Sequence, residues 1–328
     1  MISEKICEVA AVGLAVDESL RIRKHVITPE DLTGNEKRVC IVTGTHGDEL
    51  EGQYVCYEVN RIIKENPECL HGTVEVFAAL NPLGVDSISR GIPMFDLDMN
   101  RIFPGDKNGY AIEQVAASII DDIAGASLCI DIHASNIFLR EIPQARVNIN
   151  TAKTLLPIAG RLNLDYIWVH ESSTVLESTL AYSLNSIGVN TVVVEMGVGM
   201  RITKEYTRQL TDGIFCVLKD MGVWSGDVIT PRDPIVSTDG EVGFVNSDAP
   251  GIFVPCVEHL AKVSEGELIG RILDPLEGNV LEELFAPMDG MIFTLREYPV
   301  VSVGSLIARV LGGSYRRFSQ GKLSEGEM

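Results

Sequence analysis

The sequence predicts an α/β protein, a mixed or mostly parallel sheet flanked by helices, followed by an all-β C-terminal domain. Three observations carry this expectation. Up to about residue 223, short apolar runs alternate with longer amphipathic segments. From about 224 to 312 the segments are short, β-rich and punctuated by Gly and Pro. That second region also contains an internal repeat. The expected domains are therefore 1–223, α/β, and 224–328, β-rich.

In chain order, residues 1–35 read as an extra edge element. The runs 39–44, 73–80, 127–133, 165–169 and 190–195 are rich in Val, Ile and aromatic residues and read as strands. Between them, 49–65, 110–124, 151–161, 176–186 and 202–221 repeat apolar residues at helical spacing. In the first of these helices Tyr54, Val55, Val59, Ile62 and Ile63 share one side. The polar tail from Ser314 to Met328 reads as frayed.

In the β-rich region, Ala249-Pro-Gly-Ile-Phe-Val and Val263-Ser-Glu-Gly-Glu-Leu-Ile-Gly-Arg-Ile-Leu273 are echoed by Ala286-Pro-Met-Asp-Gly-Met-Ile-Phe and Val303-Gly-Ser-Leu-Ile-Ala-Arg-Val-Leu311. Two such halves resemble a barrel-sandwich hybrid of the biotinyl/lipoyl-carrier type. Carriers hold a modifiable lysine on the hairpin between the halves. Here that hairpin is Asp274 to Asn279, and no lysine occurs from 263 to 321, so a swinging-arm role is not expected.

Composition narrows the partners. The 328 residues carry a formal net charge of −19, which makes nucleic acid and anionic membranes poor partners. An anionic substrate then needs a local cluster of Arg or Lys working against the overall field. The seven cysteines include no C-x-x-C, and Cys40 and Cys129 lie inside apolar runs; free buried thiols in a reducing compartment are expected. Neither a signal peptide nor a membrane span is legible, so a cytoplasmic protein is expected.

The chemistry concentrates at the ends of strands. His46 and Glu49 sit three residues apart where the run 39–44 breaks at Gly44 and a helix begins. Imidazole nitrogen plus carboxylate oxygen is a first-row metal pair, most often zinc. Surface pairing also produces this spacing. A second buried run ends in His133, with Asp131 on the same side of the strand and able to orient an imidazole. Two His and one Glu with a fourth position for water describe a catalytic rather than a closed structural zinc; the alternative is a satisfied core histidine. Arg90, Asn100 and Arg101 lie on the loop after the turn Asn81-Pro-Leu-Gly84. Their forks match a carboxylate, or they are solvated surface arginines. Glu195 ends the run Thr191-Val-Val-Val and reads as a general base or an exposed strand-end acid.

Taken in order, G-x-H-G-x-E, N-P-x-G, D-x-N-R-x-F-P-G, D-x-H and V-x-E resemble the succinylglutamate desuccinylase/aspartoacylase family of the zinc carboxypeptidase-like group, in its bacterial deacylase branch. The motifs cover residues 40–200. The resemblance implies a zinc-carboxypeptidase-like fold and one zinc per chain on His46, Glu49 and His133. It implies Glu195 as the general base, Arg90 as a polariser of the scissile carbonyl, and Asn100 and Arg101 as a clamp on a substrate carboxylate. The Arg90-to-Asn100 spacing is longer than in aspartoacylases proper, and their C-terminal tyrosine has no clear match. The expected activity is zinc-dependent cleavage of a small N-acyl amino acid or related acylated amine. A metallocarboxypeptidase acting on small peptides and a non-catalytic metal- or ligand-binding module are the alternatives. The expected partner is a small-molecule carboxylate, and a homo-oligomer stays open.

Overall fold

The computed structural model describes residues 1–170, 177–312, 316–319 and 322–325. The α/β part runs β1 (Ile2–Gly13), β2 (Ser19–Pro29), β3 (Arg38–Thr43), α1 (Glu51–Glu65), β4 (Thr73–Phe77), α2 (Pro82–Ser87), α3 (Ala111–Ile123), β5 (Leu128–His133), β6 (Leu139–Asn148), α4 (Ala152–Ala159), β7 (Tyr166–His170), α5 (Leu180–Ser186), β8 (Thr191–Gly197), α6 (Lys204–Asp220) and β9 (Ile235–Thr238). The β-rich part adds β10 (Val242–Asn246), β11 (Gly251–Pro255), β12 (Lys262–Val263), β13 (Leu268–Asp274), β14 (Asn279–Phe285), β15 (Gly290–Arg296), β16 (Val300–Val301), β17 (Leu306–Gly312), β18 (Arg316–Ser319) and β19 (Lys322–Glu325).

The main sheet has the strand order β1-β2-β4-β3-β5-β8-β6-β7-β9-β18-β19. Strands β4, β3, β5 and β8 are parallel, while β6 runs antiparallel to β8 and starts a second parallel set with β7 and β9. The sheet is therefore mixed, as expected. The first 35 residues supply a long hairpin whose second strand joins β4 at the edge.

Helix α1 shows why these residues adopt this fold. Val55, Val59 and Ile63 recur every four residues and are fully buried on one face against the sheet and α6. Pro67 ends the run, since it restricts the residue before it and cannot donate into a helix. Two apolar layers sandwich the sheet. One joins α1, α4 and α6 to it; the other joins α3 and α5. Strand β5, buried at all six positions, lies between the layers, where a strand reads as a continuous apolar run. The helix expected over 176–186 is seen over 180–186, and residue 176 lies outside the described residues.

The β-rich part contains two sheets. One is β14-β13-β11-β16; the other joins β10, β17, β15 and β12. Each sheet takes strands from both halves of the repeat: β11 pairs β16, β12 pairs β15, and β10 pairs β17. This interleaving is what the repeated sequence implies. The second sheet is not separate from the first part of the chain, because β15 pairs β6 through Thr294↔Glu141, Leu295↔Arg140 and Arg296↔Leu139. The expectation of a frayed tail fails at β18, which pairs β9 and buries Phe318 against Gly160 in the α/β core. One aromatic anchor outweighs the polar composition around it.

Candidate metal centre and substrate cleft

After β3 the chain turns at Gly44, whose φ of +67° favours glycine. Gly47 is required for space: a Cβ there would lie 1.9 Å from the carbonyl carbon of Gly84. The G-x-H-G-x-E loop is thus pressed against the N-P-x-G turn. Asn81 fixes that turn by accepting from the Gly84 amide at 2.9 Å and donating to the Gly91 carbonyl at 3.0 Å. The same contacts bring the Arg90 segment to the loop.

His46, Glu49 and His133 come together as the sequence predicts. The Nδ1 of His46 donates to Glu49 Oε1 at 2.7 Å, and the Nδ1 of His133 donates to Glu49 Oε2 at 2.9 Å. Ligand atoms from the three lie within 4.8 Å of one another, and all three residues are at most 4% exposed. The far nitrogens face carboxylates: His46 Nε2 donates to Asp98 at 3.1 Å, and His133 Nε2 lies 3.3 Å from Asp131. Both Asp131 oxygens are buried without a hydrogen-bond partner among the described residues, as is His133 Nε2.

Electrostatics explains how so many ionisable groups coexist. Burial opposes the Glu49 charge, yet the two imidazoles hold its carboxylate well below the usual range. Burial likewise opposes His46 protonation, but Glu49 and then Asp98 raise its pKa. His133 is raised further by Asp131 and Glu49 against the same burial. Burial works against Asp98 too, and His46 with Arg90 brings it down to about 2. The result is two imidazoles, both drawn towards the protonated form, wrapped around one carboxylate. A divalent cation replaces those ring protons, and two imidazole nitrogens with one carboxylate oxygen suit it chemically. The donor set of two imidazoles and one carboxylate therefore fits a divalent metal.

Glu195 lies beside His133 in the parallel β5–β8 register. Burial pushes its pKa above the ordinary carboxylate range, although Arg146 and His133 pull it back. Its carboxylate has no hydrogen bond to any described residue. The loop after it is pinned by Glu51, which accepts from the Thr203 amide and hydroxyl, both at 2.7 Å.

The remaining predicted residues lie on the segment after the N-P-x-G turn. Arg90 Nη1 donates to Glu49 Oε1 at 3.0 Å, and Nη2 lies 3.5 Å from Asp98. Asn100 accepts from the Leu180 amide at 3.0 Å, so it caps the approach to α5 and keeps only its amide nitrogen to donate. Arg101 is exposed, with Nη1 steadied on the Asn100 carbonyl at 2.7 Å and no ion pair among the described residues. Asp98, Glu51 and Asn81 are the site residues that the sequence reading left without roles. The signal for Asp98 was its place in D-x-N-R, two residues before Asn100.

Residues 35–221 match the succinylglutamate desuccinylase/aspartoacylase catalytic domain, and the chain belongs to that family. Its membership places it among deacylases, which are hydrolases of amide bonds. The chain is 25% identical over 284 residues to the N-alpha-acetyl-L-2,4-diaminobutyric acid deacetylase of Halomonas elongata, spanning 84% of this chain and 82% of that protein. Two solved structures share the fold. The succinylglutamate desuccinylase/aspartoacylase of Rhodobacter sphaeroides has a TM-score of 0.80 at 23% identity, covering 94% of this chain and 95% of that one. The product-bound ectoine utilization protein EutE (DoeB) of Ruegeria pomeroyi has a TM-score of 0.81 at 21% identity, covering 95% of each chain.

Proposed function

We propose that the protein is a zinc-dependent deacylase that hydrolyses the amide of a small N-acyl amino acid or a related acylated amine. The observation that carries this reading is the buried His46–Glu49–His133 group with Glu195 on the adjacent strand end. The deacetylase relative supports the reaction type, and the donor set supports zinc, one per chain. A zinc ion held there would supply an electrophile for the scissile carbonyl and acidify a water.

Glu195 takes the proton from the attacking water and returns it to the leaving amine. It makes no hydrogen bond to a described residue, which leaves it ready for that transfer, and burial raises its affinity for the proton. Arg90, drawn to Glu49 in this structure, swings to the developing oxyanion, where donors aimed at new charge contribute most. Arg101 and the Asn100 amide nitrogen hold the substrate carboxylate.

A substrate panel tests the reading. Zinc-loaded protein should release acid and amine from N-acyl amino acids with kcat/KM at least tenfold above that for dipeptides of matched side chain. A reversed preference establishes the carboxypeptidase alternative. No turnover of either class overturns the enzymatic reading and leaves the binding-module alternative.

A further inference from the structure

The Glu195 carboxylate makes no hydrogen bond to a described residue, so its position is set by the backbone that carries it. Its ladder partner in β5 is His133, the last residue of that strand. The β5 ladder therefore stops at Glu195. The two further residues of β8 keep only the β6 ladder among the described residues, at Glu141↔Gly197. The strand end that carries the base is held by the sheet on one side alone.

Glu51 meets that strand end. It is the first residue of α1, two residues after Glu49, and it is fully buried. Gly197 packs directly on its carboxylate. A Cβ at Gly197 would lie 2.0 Å from Glu51 Oε1, and the φ of +69° favours glycine as well. Six residues on, Thr203 donates its amide to Glu51 Oε2 and its hydroxyl to Oε1, both at 2.7 Å. One carboxylate thus closes both ends of the segment 197–203. Between those ends the Met200 amide donates to the Asp48 carbonyl at 2.7 Å, and the Gly199 amide to the Asn136 carbonyl at 3.2 Å. The segment after the base is tied to the loops that follow β3 and β5, and Glu51 is the side chain that grips it.

Two further observations separate this grip from ordinary packing. Thr203 is the N-cap of α6, where a threonine ordinarily turns its hydroxyl to an amide of the first turn. Here it makes no capping bond, and the hydroxyl is directed at Glu51 instead. The anchor itself is rigid. A Cβ at Gly52 would lie 2.2 Å from Thr43 Oγ1, so the start of α1 is pressed onto β3. The Thr43 hydroxyl in turn donates to the Ile132 carbonyl at 2.9 Å and joins β3 to β5 just before His133.

We infer that Glu51 is a positioning residue, which clamps the segment after β8 to the start of α1 and so holds Glu195 in place relative to His46, Glu49 and His133. The inference rests on the deacylase reading. The Glu51 carboxylate is occupied by Gly197 and Thr203, so it acts through the backbone and not on the substrate. Charge-assisted bonds make such a clamp stiff. Stiffness matters because a reacting group displaced by about 1 Å can lose on the order of 10²-fold in rate.

The test is a double-variant cycle on the full-length, zinc-loaded protein with its best N-acyl amino acid substrate. Glu51→Gln keeps the side chain's shape and removes one accepting oxygen. It should lower kcat by roughly 10–100-fold, with KM within about twofold and zinc content unchanged. In a Glu195→Gln background, with residual turnover read from product build-up at enzyme excess, the same substitution should cost less than about twofold, because no base remains to be placed. Thr203→Val removes only the hydroxyl. It should show a smaller loss with the same dependence on background, and it decides the matter where Glu51→Gln does not fold. Hydrogen exchange gives a readout apart from turnover: amides over 196–203 should exchange faster in both variants, while those of α1 and β5 keep their rates. Equal kcat losses in the two backgrounds, unchanged kcat, loss of zinc, or unchanged exchange would each overturn the inference and leave the deacylase reading standing. Near-normal kcat in Glu195→Gln, or no turnover by the unmodified protein, overturns that reading and this inference with it.

Discussion

In the proposed reaction Glu195 and Arg101 divide two tasks, proton transfer and anchoring. Glu195→Gln preserves shape and removes the base, so kcat should fall by roughly 10²–10⁴-fold while zinc content stays unchanged. Steady-state kinetics beside metal analysis checks this, and near-normal kcat would show that Glu195 is not the base. Arg101→Ala should raise KM for substrates with a free carboxylate far more than for their amides, since the guanidinium has no ion pair of its own among the described residues. Losing a desolvated charge-assisted pair costs about 2–5 kcal/mol, and a half-exposed one less. Equal losses on acid and amide substrates would remove Arg101 from the clamp. At this scale the sequence was most legible where a residue ends a strand: His133 and Glu195 follow apolar runs that place them with little ambiguity. The pairing of Asp98 with His46 was not legible, because the two lie 52 residues apart in sequence. Asn100 was legible only in part, since nothing in D-x-N-R announces that its side-chain oxygen caps the approach to α5.

The elements succeed or fail as supports for those side chains. The loop after β3 works because glycine allows it to touch the N-P-x-G turn. Gly47→Ala should therefore destabilise the protein by about 1–3 kcal/mol, as overpacking does, and weaken zinc binding at least tenfold. Gly240→Ala, where an added Cβ meets nothing within 4 Å, should stay within about 0.5 kcal/mol. Denaturant melts and zinc titration of the pair test this; matched behaviour of the two variants would contradict the contact. The strands and helices with apolar periodicity were read nearly to their ends. Strand β6 was missed for a physical reason. Its sequence Leu139-Arg-Glu-Ile-Pro-Gln-Ala-Arg-Val-Asn148 carries two arginines, a glutamate and a proline, which argue against a central strand. Pro143 lies in the register shift between Glu141 and Gln144, where the ladder is interrupted. Glu141 and Gln144 are buried and Arg140 and Arg146 partly open, and Glu141 is held by Thr294 and Arg309 of the β-rich part, so tertiary partners rather than strand composition fix this strand.

At the scale of the whole molecule, the β-rich part is built into the catalytic one. Strand β9 extends the main sheet from beyond residue 223, and β15 pairs β6 next to Glu195. The internal repeat made the two interleaved sheets legible; their junction with β6 was not, because no local pattern encodes a pairing between residues 153 positions apart. Cutting the chain after residue 223 removes β15 from β6 and β9 from β7, and leaves Glu141 without Thr294 and Arg309. The truncated chain should aggregate or lose cooperative unfolding rather than persist as a smaller enzyme. A soluble fragment with a single cooperative melt and normal zinc content would contradict that coupling.

The proposed activity depends on one group of three side chains, His46, Glu49 and His133, and on the metal they hold. Elemental analysis of purified protein should give one zinc per chain. The His46→Ala/His133→Ala double variant, shown to be folded by circular dichroism, should give none and should lack hydrolysis that added zinc cannot restore. Zinc content equal to the unmodified protein in that folded variant would contradict the assignment of the site.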